Sequence, residues 1–259
     1  MARPESRTEC RVSTCRPEST GSTSTREASW DADRPTSLEP CGSSRHLSPI
    51  LGLVRTGILG GTFDPIHIAH LHAGEVALHQ ADLDRILFMP AGTPWQKSDR
   101  EVTPGEQRLE MTRAAIEGHD RFEVDDREVL RDGPSFTADT VATFPDDEEL
   151  FLVLGADAAL GLPTWERTHE ILARVTVLVV PRPGTDSTEV ARTLPEAVFL
   201  DMAVLEVSGT DIRAMARAGR PYRFLVVEPV YRYINDHGLY AEPQDGDNVG
   251  VPERMEQSS

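Results

Sequence analysis

Beyond Cys41 the chain has no cysteine; its three, Cys10, Cys15 and Cys41, all fall within the first fifty residues. The rest of the chain therefore cannot be held by disulfides or folded around a cysteine zinc site, and a reducing compartment, the cytoplasm, is the expected setting. Lysine is scarcer still: of 26 basic residues only Lys97 is a lysine, the others being arginine. Basic charge is short overall, since 43 acids outnumber those 26 bases and leave a formal charge of −17. That balance excludes a general nucleic-acid binder, which needs clustered cations along phosphate backbones. Long apolar runs are missing as well. The longest, Phe151–Leu154 and Val175–Val180, fall far below the roughly 20 residues that span a bilayer, so no membrane segment is expected. The N-terminus has no basic start followed by an apolar centre, so no signal peptide is read there.

What is present divides into three parts. Residues 1–52 are rich in Ser, Thr, Arg, Glu and Pro without helical or strand periodicity, with seven arginines against seven acids. They are expected to be a disordered extension. Ordered sequence starts so abruptly at Leu53 that a non-AUG translation start near Leu53 or Val54 is a further expectation. Residues 241–259, with five acids, one arginine and two prolines, are expected to be an acidic disordered tail. Between them, from 53 to 240, short β-rich runs alternate with amphipathic stretches. This is the pattern of one α/β domain, a Rossmann-like doubly wound parallel sheet with crossover helices. Strands are predicted near 56–59, 85–89, 122–124, 150–154, 175–180 and 198–200. Helices are predicted over 67–80, 104–117, 137–144, 165–173, 210–218 and 229–236. Asp146–Glu149 reads as a solvated turn. Arg108 and Arg113 read as the surface of a helix, Arg108 being held in reserve for a site. His72 and His79 read as helix-surface residues.

The first strand runs into Gly60, Gly61, Thr62, Phe63, Asp64 and Pro65, with a helix opening near His67. In an open parallel sheet the crevice beyond the strand C-termini is where ligands bind. Adjacent glycines let the backbone approach a ligand, and the helix N-terminus offers unpaired N–H groups. Taken alone, a tight turn is the commoner reason for such a pair of glycines. His67 and His70 stand three apart and so share a helix face, where they either donate to a polyphosphate, pair on zinc or simply face solvent. Near the other end, Val207–Arg213 reads VSGTDIR. Ser208 is a good N-cap there, Asp211 falls in the first turn and Arg213 projects one turn in. This is either a second phosphate cradle, with Ser208, Thr210 and Arg213 as donors, or an ordinary cap with a solvated arginine. Lys97 follows the second strand in PAGTPWQK, on the same sheet edge. It can act as a mobile point charge on a phosphate.

Together these segments carry a resemblance. GGTFDPIHIAH, residues 60–70, resembles the GGTFDPxHxxH signature of the bacterial nicotinate-nucleotide adenylyltransferases, within the HxGH nucleotidyltransferase superfamily. That motif alone gives the superfamily and not the substrate. VSGTDIR resembles the family's ISxTxIR segment, which binds the triphosphate of ATP, with Gly209 where Ser or Ala is usual and a side-chain contact thereby lost. PAGTPWQK resembles the PxxxPPHK loop, with Trp95 and Gln96 in place of Pro and His. Pro134–Thr140, PSFTADT, and the stretch from Leu154 to Trp165 resemble the PSYTxDT and LGxDxxxxxxxW segments that mark the nicotinate enzymes.

The resemblance implies adenylyl transfer from ATP to nicotinate mononucleotide, giving deamido-NAD and pyrophosphate. His67, His70, Lys97 and Arg213 are then the catalytic set. Gly60, Gly61, Thr62, Phe63, His67, His70, Ser208, Thr210 and Arg213 meet ATP. Trp165 stacks on the pyridine ring, Thr137 and nearby amides meet its carboxylate, Asp157 takes ribose hydroxyls, and Asp64 joins the substrate side. Without the resemblance Trp165 reads equally as a core tryptophan. Magnesium is expected to arrive with ATP, with no protein metal site. Nicotinamide mononucleotide or phosphopantetheine as acceptor, or a nucleotide-binding module without chemistry, are the alternatives, and self-association into a homo-oligomer is left open.

Overall fold

The computed structural model describes residues 53–92 and 102–241; Lys97, Trp95 and Gln96, the N-terminal extension and all but the first residue of the C-terminal one lie outside the described residues. The strands are β1 (Val54–Gly61), β2 (Arg85–Pro90), β3 (Phe122–Val124), β4 (Glu148–Gly155), β5 (Val175–Val180) and β6 (Val198–Phe199). Between and after them come α1 (Ile68–Gln80), α2 (Gly105–Ile116), α3 (Thr137–Val141), α4 (Ala156–Gly161), α5 (Thr168–Arg174), α6 (Ser187–Thr193), α7 (Gly209–Arg217) and α8 (Glu228–Asp236). The strands form one sheet in the order β3-β2-β1-β4-β5-β6, every pairing parallel. This is the doubly wound α/β fold expected from the alternation of elements. No helix among the described residues is long and apolar enough to cross a membrane.

Side-chain alternation explains why both sheet faces are covered. Leu150, Leu152 and Leu154 of β4 pack into one apolar cluster with α3, α4, α5 and α6, while Phe151 and Val153 pack into the other with α1, α2, α7 and α8. β2 divides likewise, Ile86 and Phe88 against Leu87 and Met89. A strand buried on both faces reads as a continuous apolar run, which is why β2, β4 and β5 were legible. Two helices were not. α4 begins directly where β4 ends, so its six residues look like the tail of the apolar run. α6 has one buried residue, Val190, and hence no apolar stripe, although its Asp186 cap, accepting from Thr188 N at 2.8 Å, was a usable signal. The helix expected from Trp165 begins only at Thr168, because Arg167 takes a left-handed φ of 53° and breaks it.

Two polar residues depart from the expectations. Glu148 opens β4 instead of lying in a solvated turn; only Asp146 and Asp147 are exposed there. It is 7% exposed and accepts from Thr56 Oγ1 and, at 2.8 Å, from Arg85 Nη2. Burial alone would raise its carboxyl, but the hydrogen bonds from Thr56 and Arg85 hold it below the usual carboxylate range. Its partners come from β1 and β2, some sixty to ninety residues away in sequence.

Arg108 is the second departure. Arg113 is exposed and pairs with Glu110 and Asp126 as a helix-surface residue should, but Arg108 is 1% exposed. Its guanidinium donates to three main-chain carbonyls, Nε to Thr103 O at 2.8 Å, Nη1 to Thr62 O at 2.7 Å and Nη2 to Gly92 O at 2.8 Å. One planar fork thus joins the loop after β1, the loop after β2 and the approach to α2. Burial lowers its pKa, which the Asp64 carboxylate partly offsets; an arginine stays charged regardless. Arg108→Ala removes the buried guanidinium and strands three part-buried carbonyls, and is expected to cost about 3 kcal/mol in urea unfolding. Arg108→Lys should recover only part, since one ammonium cannot span the three acceptors. A loss below about 1 kcal/mol for the alanine variant would mean that those carbonyls find other donors.

Candidate active site

The strand order reverses between β1 and β4, which is the topological switch point where open α/β sheets bind ligands. A cavity of about 630 Å³ lies over the C-terminal ends of these two strands. Its walls are the loop after β1, the first turns of α1 and α7, the start of α3, Trp165 and the residues following β5.

The loop after β1 is shaped by a fold-back. Gly60 has open space where a Cβ would stand, whereas a Cβ on Gly61 would lie 2.6 Å from the ring of Phe63. Phe63 takes a left-handed φ of 49° and is 1% exposed, its ring set edge-on to His70 at 4.9 Å. The histidines sit differently from the expected helical pair. His67 is the N-cap of α1, with extended backbone, and only His70 is within the helix. They still meet, because the two rings stack at 3.7 Å. His70 Nδ1 accepts from His67 N at 3.3 Å, which puts the proton of a neutral His70 on Nε2. His67 is 3% exposed, and its Nδ1 has no hydrogen-bond partner among the described residues. Burial, then the positive charge of Arg182, pulls its pKa down to about 4.

Facing this loop is α7. Ser208 caps it as expected, accepting from Asp211 N at 3.1 Å while its own hydroxyl donates to Asp211 Oδ2 at 2.6 Å. That hydroxyl, read as a phosphate donor, is therefore engaged within the helix terminus. Gly209 has a use beyond a lost contact: a Cβ there would stand 2.7 Å from the carbonyl oxygen of Asp64. Its absence lets α7 press on the β1 loop. Arg213 crosses the same gap, Nη1 donating to Asp64 O and Nη2 to Thr210 Oγ1 at 3.2 Å. Asp64 lines the cavity but is only 4% exposed; its Oδ1 accepts from the Tyr240 hydroxyl at 2.7 Å, and its Oδ2 lies 3.7 Å from Arg213 Nη1.

On the far wall Thr137 is the first residue of α3, and Thr140 Oγ1 donates to Glu128 Oε1 at 2.8 Å. Trp165 follows the short 3₁₀ turn Leu162–Thr164, half-buried, its carbonyl and that of Leu162 both accepting from Thr168 Oγ1 at 2.7 Å. Asp157 lies in the first turn of α4, not at the strand end, with its side chain 62% exposed and Oδ1 3.5 Å from Arg182 Nε. Arg182 and Glu128 went unread in the sequence. The only available signal for Arg182 was its place two residues beyond an apolar strand, on the same edge as Gly60 and Gly155. The cavity thus brings together every site residue predicted from the sequence that falls within the described residues.

Three comparisons bear on this geometry. The model of the cytidylyltransferase-like family matches residues 58–215. A protein of Corynebacterium kroppenstedtii, described as "Probable nicotinate-nucleotide adenylyltransferase", is 40% identical over 191 residues, covering 72% of this chain and 90% of that one. One from Roseiflexus sp. with the same description is 42% identical over 192 residues, covering 71% and 96%. Among solved structures, Plasmodium falciparum nicotinic acid mononucleotide adenylyltransferase complexed with NaAD superposes with a TM-score of 0.60 at 16% identity, over 72% of this chain and 97% of that one. At that identity the likeness is one of fold.

The lowered pKa of His67 makes a linkage prediction. The unfolded chain takes up a proton near pH 6.5 that the folded chain refuses until about pH 4. This contribution to stability is whole above pH 6.5 and is lost as the pH falls toward 4, up to about 3 kcal/mol. Histidine-selective NMR, assigned with His67→Asn, should show one imidazole titrating near 4, and the variant should lose less stability over that interval. A His67 titration near 6.5 would refute the buried, neutral imidazole.

Proposed function

The chain belongs to the cytidylyltransferase-like family and, within it, to the nicotinate-nucleotide adenylyltransferases, and we propose that it transfers the adenylyl group of ATP to nicotinate mononucleotide. The observation that carries this reading is the meeting, over one switch-point cavity, of the β1 loop with its two histidines, the N-terminus of α7 with Arg213, and the wall formed by α3 and Trp165. The first two suit a polyphosphate, and the third suits a flat ring bearing a carboxylate.

A phosphate oxygen of the mononucleotide attacks the α-phosphorus of ATP in line. The bond from that phosphorus to the bridging oxygen breaks, and pyrophosphate leaves with the electron pair, giving deamido-NAD. The attacking oxygen is already an anion, so no enzyme nucleophile is required and positioning with charge neutralisation does the work. His70 directs Nε2–H at the phosphates, and the buried His67 meets them as a neutral donor in a dry wall. The main-chain N–H groups at the start of α7, with Thr210 and Arg213, hold the triphosphate. Arg182 and Lys97 supply further cations. Trp165 stacks on the pyridine ring, amides near Thr137 meet its carboxylate, and Asp157 takes ribose hydroxyls. A magnesium ion carried with ATP would be held mainly through phosphates and water and would neutralise part of the charge that His70, Thr210 and Arg213 face.

Pyrophosphate release, measured with nicotinate mononucleotide, nicotinamide mononucleotide and phosphopantetheine at equal concentration, should favour the first by at least about tenfold in kcat/KM. A preference for the amide would overturn the acceptor, and release with none would leave a binding module. His70→Ala should lower kcat by about 10²–10³-fold with little change in melting temperature.

A further inference from the structure

Tyr240 stands 176 residues from Asp64 in sequence, yet its hydroxyl donates to Asp64 Oδ1 at 2.7 Å. The phenol is delivered by α8, whose Val230 and Ile234 are buried in the core. Past that helix Leu239 N donates to Ile234 O at 2.9 Å, and Tyr240 itself takes a left-handed φ of 66°, an uncommon conformation for a residue with a side chain. Burial, then the Asp64 charge, raises its pKa, so the hydroxyl remains a donor.

The other carboxylate oxygen is the informative one. Asp64 Oδ2 is buried with no hydrogen-bond partner among the described residues, 3.7 Å from Arg213 Nη1. A guanidinium and a carboxylate this close and this dry ordinarily close to about 2.8 Å. They do not close here: Nη1 instead donates to the Asp64 carbonyl and Nη2 to Thr210 Oγ1, all three residues lining the cavity. We propose that Tyr240 is a positioning residue for adenylyl transfer: by tethering Asp64 Oδ1 it keeps the carboxylate from collapsing onto Arg213, whose guanidinium stays at the start of α7 to meet the phosphates of ATP. The inference rests on the reading that Arg213 holds ATP.

Steady-state kinetics of the full chain test it. Tyr240→Phe should lower kcat/KM for ATP about tenfold, the scale of one hydrogen bond to a charged group. KM for nicotinate mononucleotide should change by less than about twofold, since Trp165 and α3 are untouched. In an Arg213→Ala background the same change should add less than about twofold, because the group it acts through is gone. Leu239→Ala, which trims a side chain packed on the core but keeps the main-chain bond of the turn and the hydroxyl, should lower the melting temperature and leave KM for ATP unchanged. The role is overturned if Tyr240→Phe has no effect, weakens both substrates alike, costs as much without Arg213, or is matched on ATP by Leu239→Ala. Wild-type transfer slowed by Arg213→Ala but not by Tyr240→Phe removes this inference alone. Wild-type binding of ATP without transfer removes the proposed function, and the same comparison is then read on the dissociation constant for ATP.

Discussion

Three loops must meet over the sheet for a site to exist, and the buried fork of Arg108 is what joins them. Carbonyls of Thr62, Gly92 and Thr103 all accept from one guanidinium. Loop carbonyls at a strand end have no ladder partners and would otherwise demand water inside the crevice. A single charged donor set replaces that water, and the loop after β1 is thereby fixed in a conformation that includes a left-handed Phe63. The buried carboxylate of Asp64 lies close enough to offset part of the arginine's desolvation.

On the proposed function, a chain of charge −17 has to hold anionic ligands. Its long-range field opposes them, so recognition has to be local. The cavity supplies oriented donors instead of net positive charge: stacked imidazoles, a helix N-terminus, and arginines from the end of β5 and from α7. Asp64, its carboxylate bonded to Tyr240 and facing Arg213, adds no exposed negative charge at the centre.

Legibility followed the range of the interactions. β2, β4 and β5 could be read because double-sided burial writes itself as an apolar run, and Ser208 because a cap is a contact three residues long. Arg108 and Glu148 could not, since each looks in sequence like any charged residue beside a helix or turn. Their burial is decided by acceptors or donors brought in by other strands. His67 was found by its motif but misplaced by one residue, inside the helix instead of at its N-cap, because a helix boundary depends on cap geometry that residue spacing does not specify. Arg182 was visible only once β5 had a place in the sheet.

By itself the sequence determined the class of the fold, the edge of the sheet over which the cavity opens and the segments that line it, because periodicity, turn glycines and caps are local physics. It also carried the family, through GGTFDPIHIAH and VSGTDIR. Tertiary structure alone decided which charges are buried and what each one faces: Arg108 on three carbonyls, Glu148 between β1 and β2, and Asp64 between Tyr240 and Arg213. The physical reason is that desolvation and hydrogen-bond partners are properties of contact across the fold, and a charged side chain has no fixed environment until distant elements close around it.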